Sequence, residues 1–471
     1  MVHGLTFASA LEQARLIRDR AVSSRELVEL YLARIEQHDP ELGSYVDVMA
    51  EQAQTLAAEK DERTATGEEL PPFHGVPVAI KELALLAGRR ATFGTVSMKD
   101  FVAPFDDEVV ARLKRAGMVP LGKTNVPELG TLPTSESLLL GPARNPWDPQ
   151  RTPGGSSGGA AAALAGGLCP VAQGSDGAGS LRIPASCCGV YTLKPSRHRV
   201  SNAPLFISDL GPALSVRGML TRTVADTAAF LDVLAGYVPG DPCRLPAPER
   251  PFAELATRPP PRLRVGVLSS NPIGHLSAET RAAVDTATAA LEEVGHETFA
   301  VDVDVGDDVI EAFETVWAAL FAVQPFPSDS LEPFNRWLVG RGHGTPVADV
   351  MAAEWRLRLV SRDLTARFHG EFDVMLAPVL SELPLQVGAY RDREPELIWE
   401  HLKTYVVAVT PLVNAAGLPA AGLPLHHDDV SGMPVGVQLV GRLAEEATLL
   451  QVSAQLEQVR PWVQRRPPGL G

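Results

Sequence analysis

Leu27, Leu30, Tyr31 and Ile35 recur three and four residues apart behind the segment Ser23-Ser24-Arg25-Glu26. That spacing places them on one face of a helix, and Ser23 with Glu26 forms a capping box that opens it. Residues 1–66 read as helical throughout. The period then changes. VPVAIKEL (76–83) is a short β-branched run ending in a lysine, the pattern of a buried strand. Val109 to Ala116 returns to helical spacing and stops at Gly117, and Met118 to Leu121 is a second buried strand. Ala160 to Gly166 is a helix of small residues behind a glycine turn. RLRVGVL (262–268), DVMLAPV (373–379) and MPVGVQLVG (433–441) have strand length, and Ser277 to Val294 is a helix closed by Gly295. Strands alternating with helices along most of the chain predict an α/β fold. Between Gly236 and Pro261 the chain turns proline-rich, which marks a linker or surface excursion. No internal repeat is visible.

The composition is that of a globular chain: 471 residues, 45% hydrophobic and 21% charged. The formal charge is −15 and Lys and Arg do not cluster, which argues against a surface that tracks nucleic-acid phosphates. Cys169, Cys187, Cys188 and Cys243 fit no zinc spacing and make a poor disulfide framework, so they read as reduced and mostly buried. Charges arrive too early in MVHGLTFASALEQARLIRDR for a secretory leader, and no apolar run reaches bilayer length. A cytoplasmic protein that spans no membrane is expected.

Two motifs mislead. Gly117 to Thr124 fits the P-loop pattern GxxxxGK[ST], but a P-loop needs a strand before its first glycine and a bare loop after it. Here a helix precedes Gly117, and MVPL reads as the strand itself. Gly155-Ser156-Ser157-Gly158-Gly159 fits GxSxG, yet RTPGG is no strand from which a nucleophile elbow could hang. His369, His401, His426 and His427 follow without a distinctive setting.

Three elements remain: Lys81 at the end of an apolar strand, the turn GGSSGG (154–159), and GAGS (177–180) followed by LRIP. Gly177, Ala178 and Gly179 leave room for consecutive backbone N–H groups to converge, as in an oxyanion hole, where each donor is worth about 2.7–4 kcal/mol in the transition state. Ser180 ends that nest. A serine needs a base, and a lysine serves only when neutral, which burial of its strand would favour. A serine of GGSSGG can relay the proton between them.

GVPVAIKE, GKTNVPELG, NPWDPQRTPGGSSGGAAAALAGG, GSDGAGSLRIPASCCGVYTLKPS, DVMLAPV and NAAGLPAAGLPLHHDDVSGMPVGVQLVG resemble the amidase signature family in order and spacing. The likeness covers nearly the whole chain and is densest from Gly75 to Ser201. It implies one large domain with a mixed, twisted β-sheet flanked by helices on both faces. The N-terminal helical segment (1–66) would pack on an amidase signature domain (67–471). The catalytic core would lie at about 75–201 and the variable, substrate-side region at about 236–400.

The resemblance assigns a Ser–cis-Ser–Lys triad to Ser180, Ser156 and Lys81, oxyanion donors to Gly177, Ala178, Gly179 and Ser180, an acyl-pocket position to Gly130, and loop bracing to Asp176 and Arg182. Three departures stand out: Glu82 replaces the usual aspartate, Ala178 replaces a glycine, and Lys194-Pro-Ser-Arg-His198-Arg replaces KPTxGR. Trp317, Phe321, Phe326, Phe334 and Trp337 read as ordinary packing, with an apolar or aryl pocket as the alternative.

The expected activity is hydrolysis of carboxylic amides through an acyl-enzyme, with esters and carbamates also attacked. The expected partner is a small-molecule amide; no metal and no organic cofactor is implied, and a homodimer is left open. The alternatives are the transamidating component of a tRNA-dependent amidotransferase and, less compatible with the residues, a P-loop nucleotide-binding module. Substrate identity would reside between about Asp302 and Trp399.

Overall fold

Alternation along the strands decides which side of the sheet each helix covers. The computed structural model describes residues 2–204 and 214–470. Its strands are β1 (Tyr45–Val48), β2 (Pro77–Lys81), β3 (Val119–Thr124), β4 (Glu136–Ser137), β5 (Gly141–Pro142), β6 (Ala172–Asp176), β7 (Tyr191–Lys194), β8 (Val216–Thr221), β9 (Arg264–Val267), β10 (Glu297–Ala300), β11 (Val374–Pro378), β12 (Ala420–His427) and β13 (Pro434–Val440). Eleven of them form one sheet in the order β1-β3-β2-β6-β8-β7-β12-β13-β11-β9-β10, while β4 and β5 form a separate hairpin. β3, β2 and β6 run parallel, the strands from β6 to β11 pair antiparallel, and β11, β9 and β10 are again parallel. The sheet is therefore mixed.

Val78 and Ile80 of β2 share one face with Leu376, Leu423, Val437 and Leu439, under the helices Ala10–Arg18, Ala278–Glu293 and Glu446–Val459. Ala79 faces the other way and packs with Tyr31, Ile35, Ala160 and Ala163 from the helices Ser24–Leu42 and Gly158–Ala165. On that second face Met375 and Ala377 meet Val309, Val316 and Leu357 of the helices Asp307–Ala322 and Val347–Gly370. Helices thus cover both faces, and Lys81, two residues after Ala79, points toward the Gly158–Ala165 side.

The capping box forms as expected, with the Ser23 hydroxyl accepting from Glu26 N and the Glu26 carboxylate accepting from Ser23 N. The expectation of an all-helical 1–66 fails at β1. YVDV pairs antiparallel with β3, setting Tyr45 against Thr124 and Val48 against Gly122. Four residues are too few for a period of two to show between two helices. β3 also runs three residues further than expected, so Lys123 and Thr124 are paired strand residues and no phosphate loop exists there. The proline-rich stretch carries one short helix, Phe252–Leu255. Cys169, Cys187 and Cys188 are buried and free, and Cys243 is exposed. Among the described residues no helix is long and apolar enough to cross a membrane.

Candidate active site

The last residue of β2 delivers a lysine into a set of hydroxyls. Lys81 is fully buried, and its Nζ lies 2.8 Å from Ser156 Oγ, 2.9 Å from Ser157 Oγ and 3.0 Å from Ser175 Oγ. Burial pushes its amine well below the ordinary lysine value; the Arg217 cation pushes the same way and Asp176 opposes. The register sets Arg217 of β8 directly opposite Ser175 of β6. The Ser157 hydroxyl donates to Ser175 O at 3.1 Å. Its single hydrogen is thereby used, so toward Lys81 it can only accept. In its neutral form the amine would have a lone pair to offer Ser156 or Ser175.

Ser156 follows a cis peptide bond from Gly155. A side chain at Gly155 would lie 2.6 Å from Leu132 O, so only bare backbone fits between the turn and its neighbour. Gly130 has φ +74°, and a Cβ there would lie 2.7 Å from Leu83 Cδ1 and 3.2 Å from Ser156 Oγ. The position expected at the acyl pocket is thus also the floor on which Ser156 rests.

Ser180 stands just before the helix Arg182–Cys188, and its carbonyl accepts from Ser157 N at 3.2 Å. The Ser180 loop and the GGSSGG turn meet through that main-chain bond. The Ser180 hydroxyl is not bonded to Ser156 or Lys81, whereas Ser156 is already on the lysine. The four expected oxyanion donors are reduced by one: Gly179 N donates to Asp176 Oδ1 at 2.7 Å. The N–H groups of Gly177, Ala178 and Ser180 have no acceptor among the described residues.

Asp176 and Arg182 brace this loop, both without solvent exposure. Arg182 Nε and Nη2 reach the two carboxylate oxygens at 3.0 Å each. Burial alone would raise the Asp176 carboxyl, but the guanidinium outweighs it and holds the group far below the usual carboxylate range. Three residues that the sequence did not single out complete the brace. Asn414 donates to Asp176 Oδ1 at 2.9 Å, Gln438 accepts from Arg182 Nη1 at 2.6 Å, and Thr410 O accepts from Arg182 Nη2 at 3.0 Å. Lys194, also buried, is pushed down to about 7 by desolvation and by Arg182. The segment after it turns through His198 at φ +65°, and Arg197 donates to the carbonyls of Asn414 and Ala415.

Ser180, Ala178 and Gly130 open on a cleft holding about 810 Å³ of empty space. Phe313, Trp317, Trp399 and Leu412 form its walls, and among the described residues Lys403 is the one ionisable residue on its lining. The Trp317 ring lies over Gly177, 3.5 Å from where a Cβ would stand. Of the five aromatics considered from sequence, only Trp317 reaches the cleft. Phe321 packs edge-on to Trp317, Phe326 on Phe93, and Phe334 on Trp337, which in turn meets Trp399. Among the described residues no histidine lines the cleft, and no group of three or more His, Cys, Asp or Glu could hold a metal ion.

The family model described as amidase matches residues 26–450. A 6-aminohexanoate-cyclic-dimer hydrolase of Paenarthrobacter ureafaciens is 36% identical, over 97% of this chain and 96% of its own. A putative amidase of Synechocystis is 39% identical, over 96% of this chain and 88% of its own. A component of the glutamyl-tRNA(Gln) amidotransferase of Synechococcus is 35% identical, over 95% of this chain and 96% of its own. A solved structure of 6-aminohexanoate cyclic dimer hydrolase with substrate superposes with a TM-score of 0.91 at 34% identity, covering 99% of this chain and all of that one.

Proposed function

Because the chain belongs to the amidase signature family and is an amide hydrolase, we propose that it cleaves apolar linear or cyclic carboxamides by a Ser180–Ser156–Lys81 relay. The observation that carries this reading is a desolvated lysine amine bonded to the hydroxyl of Ser156, beside a serine that faces the cleft. Rotation of the Ser180 side chain brings its hydroxyl to Ser156. Ser180 Oγ then bonds to the substrate carbonyl carbon, its proton passes to Ser156, and the Ser156 proton passes to Lys81. The amides of Gly177, Ala178 and Ser180 receive the oxyanion. When the C–N bond breaks, Lys81 returns a proton through Ser156 to the departing amine. Water attacks the acyl-enzyme through the same relay, and the carboxylic acid leaves. Esters and carbamates pass through equivalent intermediates.

The cleft's walls support an apolar substrate. The described lining holds no carboxylate for the ammonium of free glutamine, although Lys403 can meet its carboxylate, which disfavours a glutamine-dependent amidotransferase component despite the similar identity to one. The test is a hydrolysis panel of short aliphatic, aryl, peptide-like and cyclic amides, with glutamine included, on the chain alone and on Ser180→Ala. Turnover of apolar amides that disappears in Ser180→Ala is expected. Activity confined to glutamine, or retained in Ser180→Ala, would overturn the reading.

A further inference from the structure

Lys123 has no part in that relay, although it sits beside it. On β3 it pairs with Ile80, one residue before Lys81. It is fully buried, and its Nζ donates to the carbonyl of Arg90 at 3.0 Å. The remaining ammonium hydrogens have no acceptor among the described residues. They face a second cavity, about 780 Å³ of empty space at the β1 edge of the sheet, which shares no lining residue with the catalytic cleft.

The charges around this cavity do not cancel. Asp47 is answered by Arg89, whose guanidinium meets both its oxygens. Glu82 accepts from Thr92 N and, at 2.8 Å, from Thr92 Oγ1, all through Oε1. Its Oε2 is buried without a partner. Arg90 and Lys99, both exposed at the rim, have no ion-pair partner among the described residues. Three cations, Arg90, Lys99 and Lys123, thus stand against the one carboxylate of Glu82. Val46, Leu139 and Leu140 supply an apolar wall on the same cavity. A buried polar group without a partner costs about 1–3 kcal/mol, so the under-used Lys123 ammonium favours an occupant that accepts hydrogen bonds.

We propose that this cavity binds a small organic anion, its carboxylate or phosphate oxygens held by Lys123, Arg90 and Lys99 and its hydrocarbon body laid along Val46, Leu139 and Leu140. Burial raises the Glu82 carboxyl, and the Lys123 charge and the Thr92 hydrogen bonds oppose that rise.

The experiment is isothermal titration of the full-length protein with hexanoate, hexyl phosphate and inorganic phosphate, repeated on Arg90→Glu/Lys99→Glu and on Lys123→Met. The rim residues are exposed, so the double variant should fold and keep its kcat/KM on a model amide. Binding of hexanoate or hexyl phosphate that weakens tenfold or more in the double variant supports the site; which of the two binds tells carboxylate from phosphate chemistry. Three results would overturn it: no binding by either, binding by inorganic phosphate alone (an adventitious ion only), or organic-anion binding unchanged in the double variant, which would place the ligand in the catalytic cleft.

Discussion

Asp176→Asn removes one charge and almost no volume, yet it strikes the brace at its centre. The carboxylate receives five donors: Gly179 N at 2.7 Å, Leu181 N at 3.2 Å, Arg182 Nε and Nη2 at 3.0 Å each, and Asn414 Nδ2 at 2.9 Å. An asparagine in either orientation turns its own NH2 toward at least two of them. The Arg182 guanidinium is then left buried and uncompensated, a change that costs about 3–5 kcal/mol. Against a typical stability of about 5–15 kcal/mol that is a large share. Urea unfolding at pH 7, followed by fluorescence, should show a lower midpoint at unchanged slope. Turnover should fall as well, because Gly179 is anchored to Asp176 one residue before Ser180, the proposed nucleophile. Asp176→Asn/Arg182→Met should recover part of the lost stability by removing the stranded cation. The pH dependence has a definite sign. The folded carboxyl lies below its free value of about 3.9; its stabilisation is therefore present above that value and is lost as pH falls below it, in the wild type only. A loss under about 1 kcal/mol, or a double variant no better than the single one, would refute the reasoning.

Gly130→Ala forces an L side chain into φ +74° and against Leu83 and Ser156. It should cost about 1–2 kcal/mol in unfolding experiments and lower kcat at least tenfold, with the loss in kcat exceeding that in KM. The Arg217 cation helps hold the Lys81 amine below the ordinary lysine value. On the proposed relay, which needs the neutral amine, activity rises as pH rises through the Lys81 ionisation. Arg217→Met, made with Asp107→Asn to retire the carboxylate paired to it at 3.4 Å, should move that rising limb to higher pH in the kcat/KM profile.

The parts of the site that lie close in sequence could be read without a structure. GGSSGG and GAGS announce themselves because small residues clustered between apolar runs serve only where backbone must come near. Ser175 was harder: it reaches Lys81 because β6 lies beside β2, which is sheet order and not local pattern. Asn414 and Gln438 come from more than 200 residues away. Gln438 had left one trace, a polar residue inside the apolar run MPVGVQLVG, which a buried strand tolerates only if something claims it. β12 was not anticipated because Gly422 and Pro424 oppose a strand reading; the register slips between Leu423 and His426, where that proline can be accommodated. β1 was hidden by its length. The cleft aromatics Phe313 and Trp399 sit among many aromatics on helices that also have cores to fill, so periodicity could not separate wall from packing.

The relay stands or falls on whether Lys81 activates Ser180. Labelling by a fluorophosphonate, with the modified residue located by mass spectrometry across a pH series, measures that directly in wild type and in Lys81→Met. The label should fall on Ser180, at a rate that rises through an ionisation well below 10.5 and collapses in Lys81→Met. Labelling of Ser180 at the wild-type rate and pH profile in Lys81→Met, or labelling of a different residue, would contradict it.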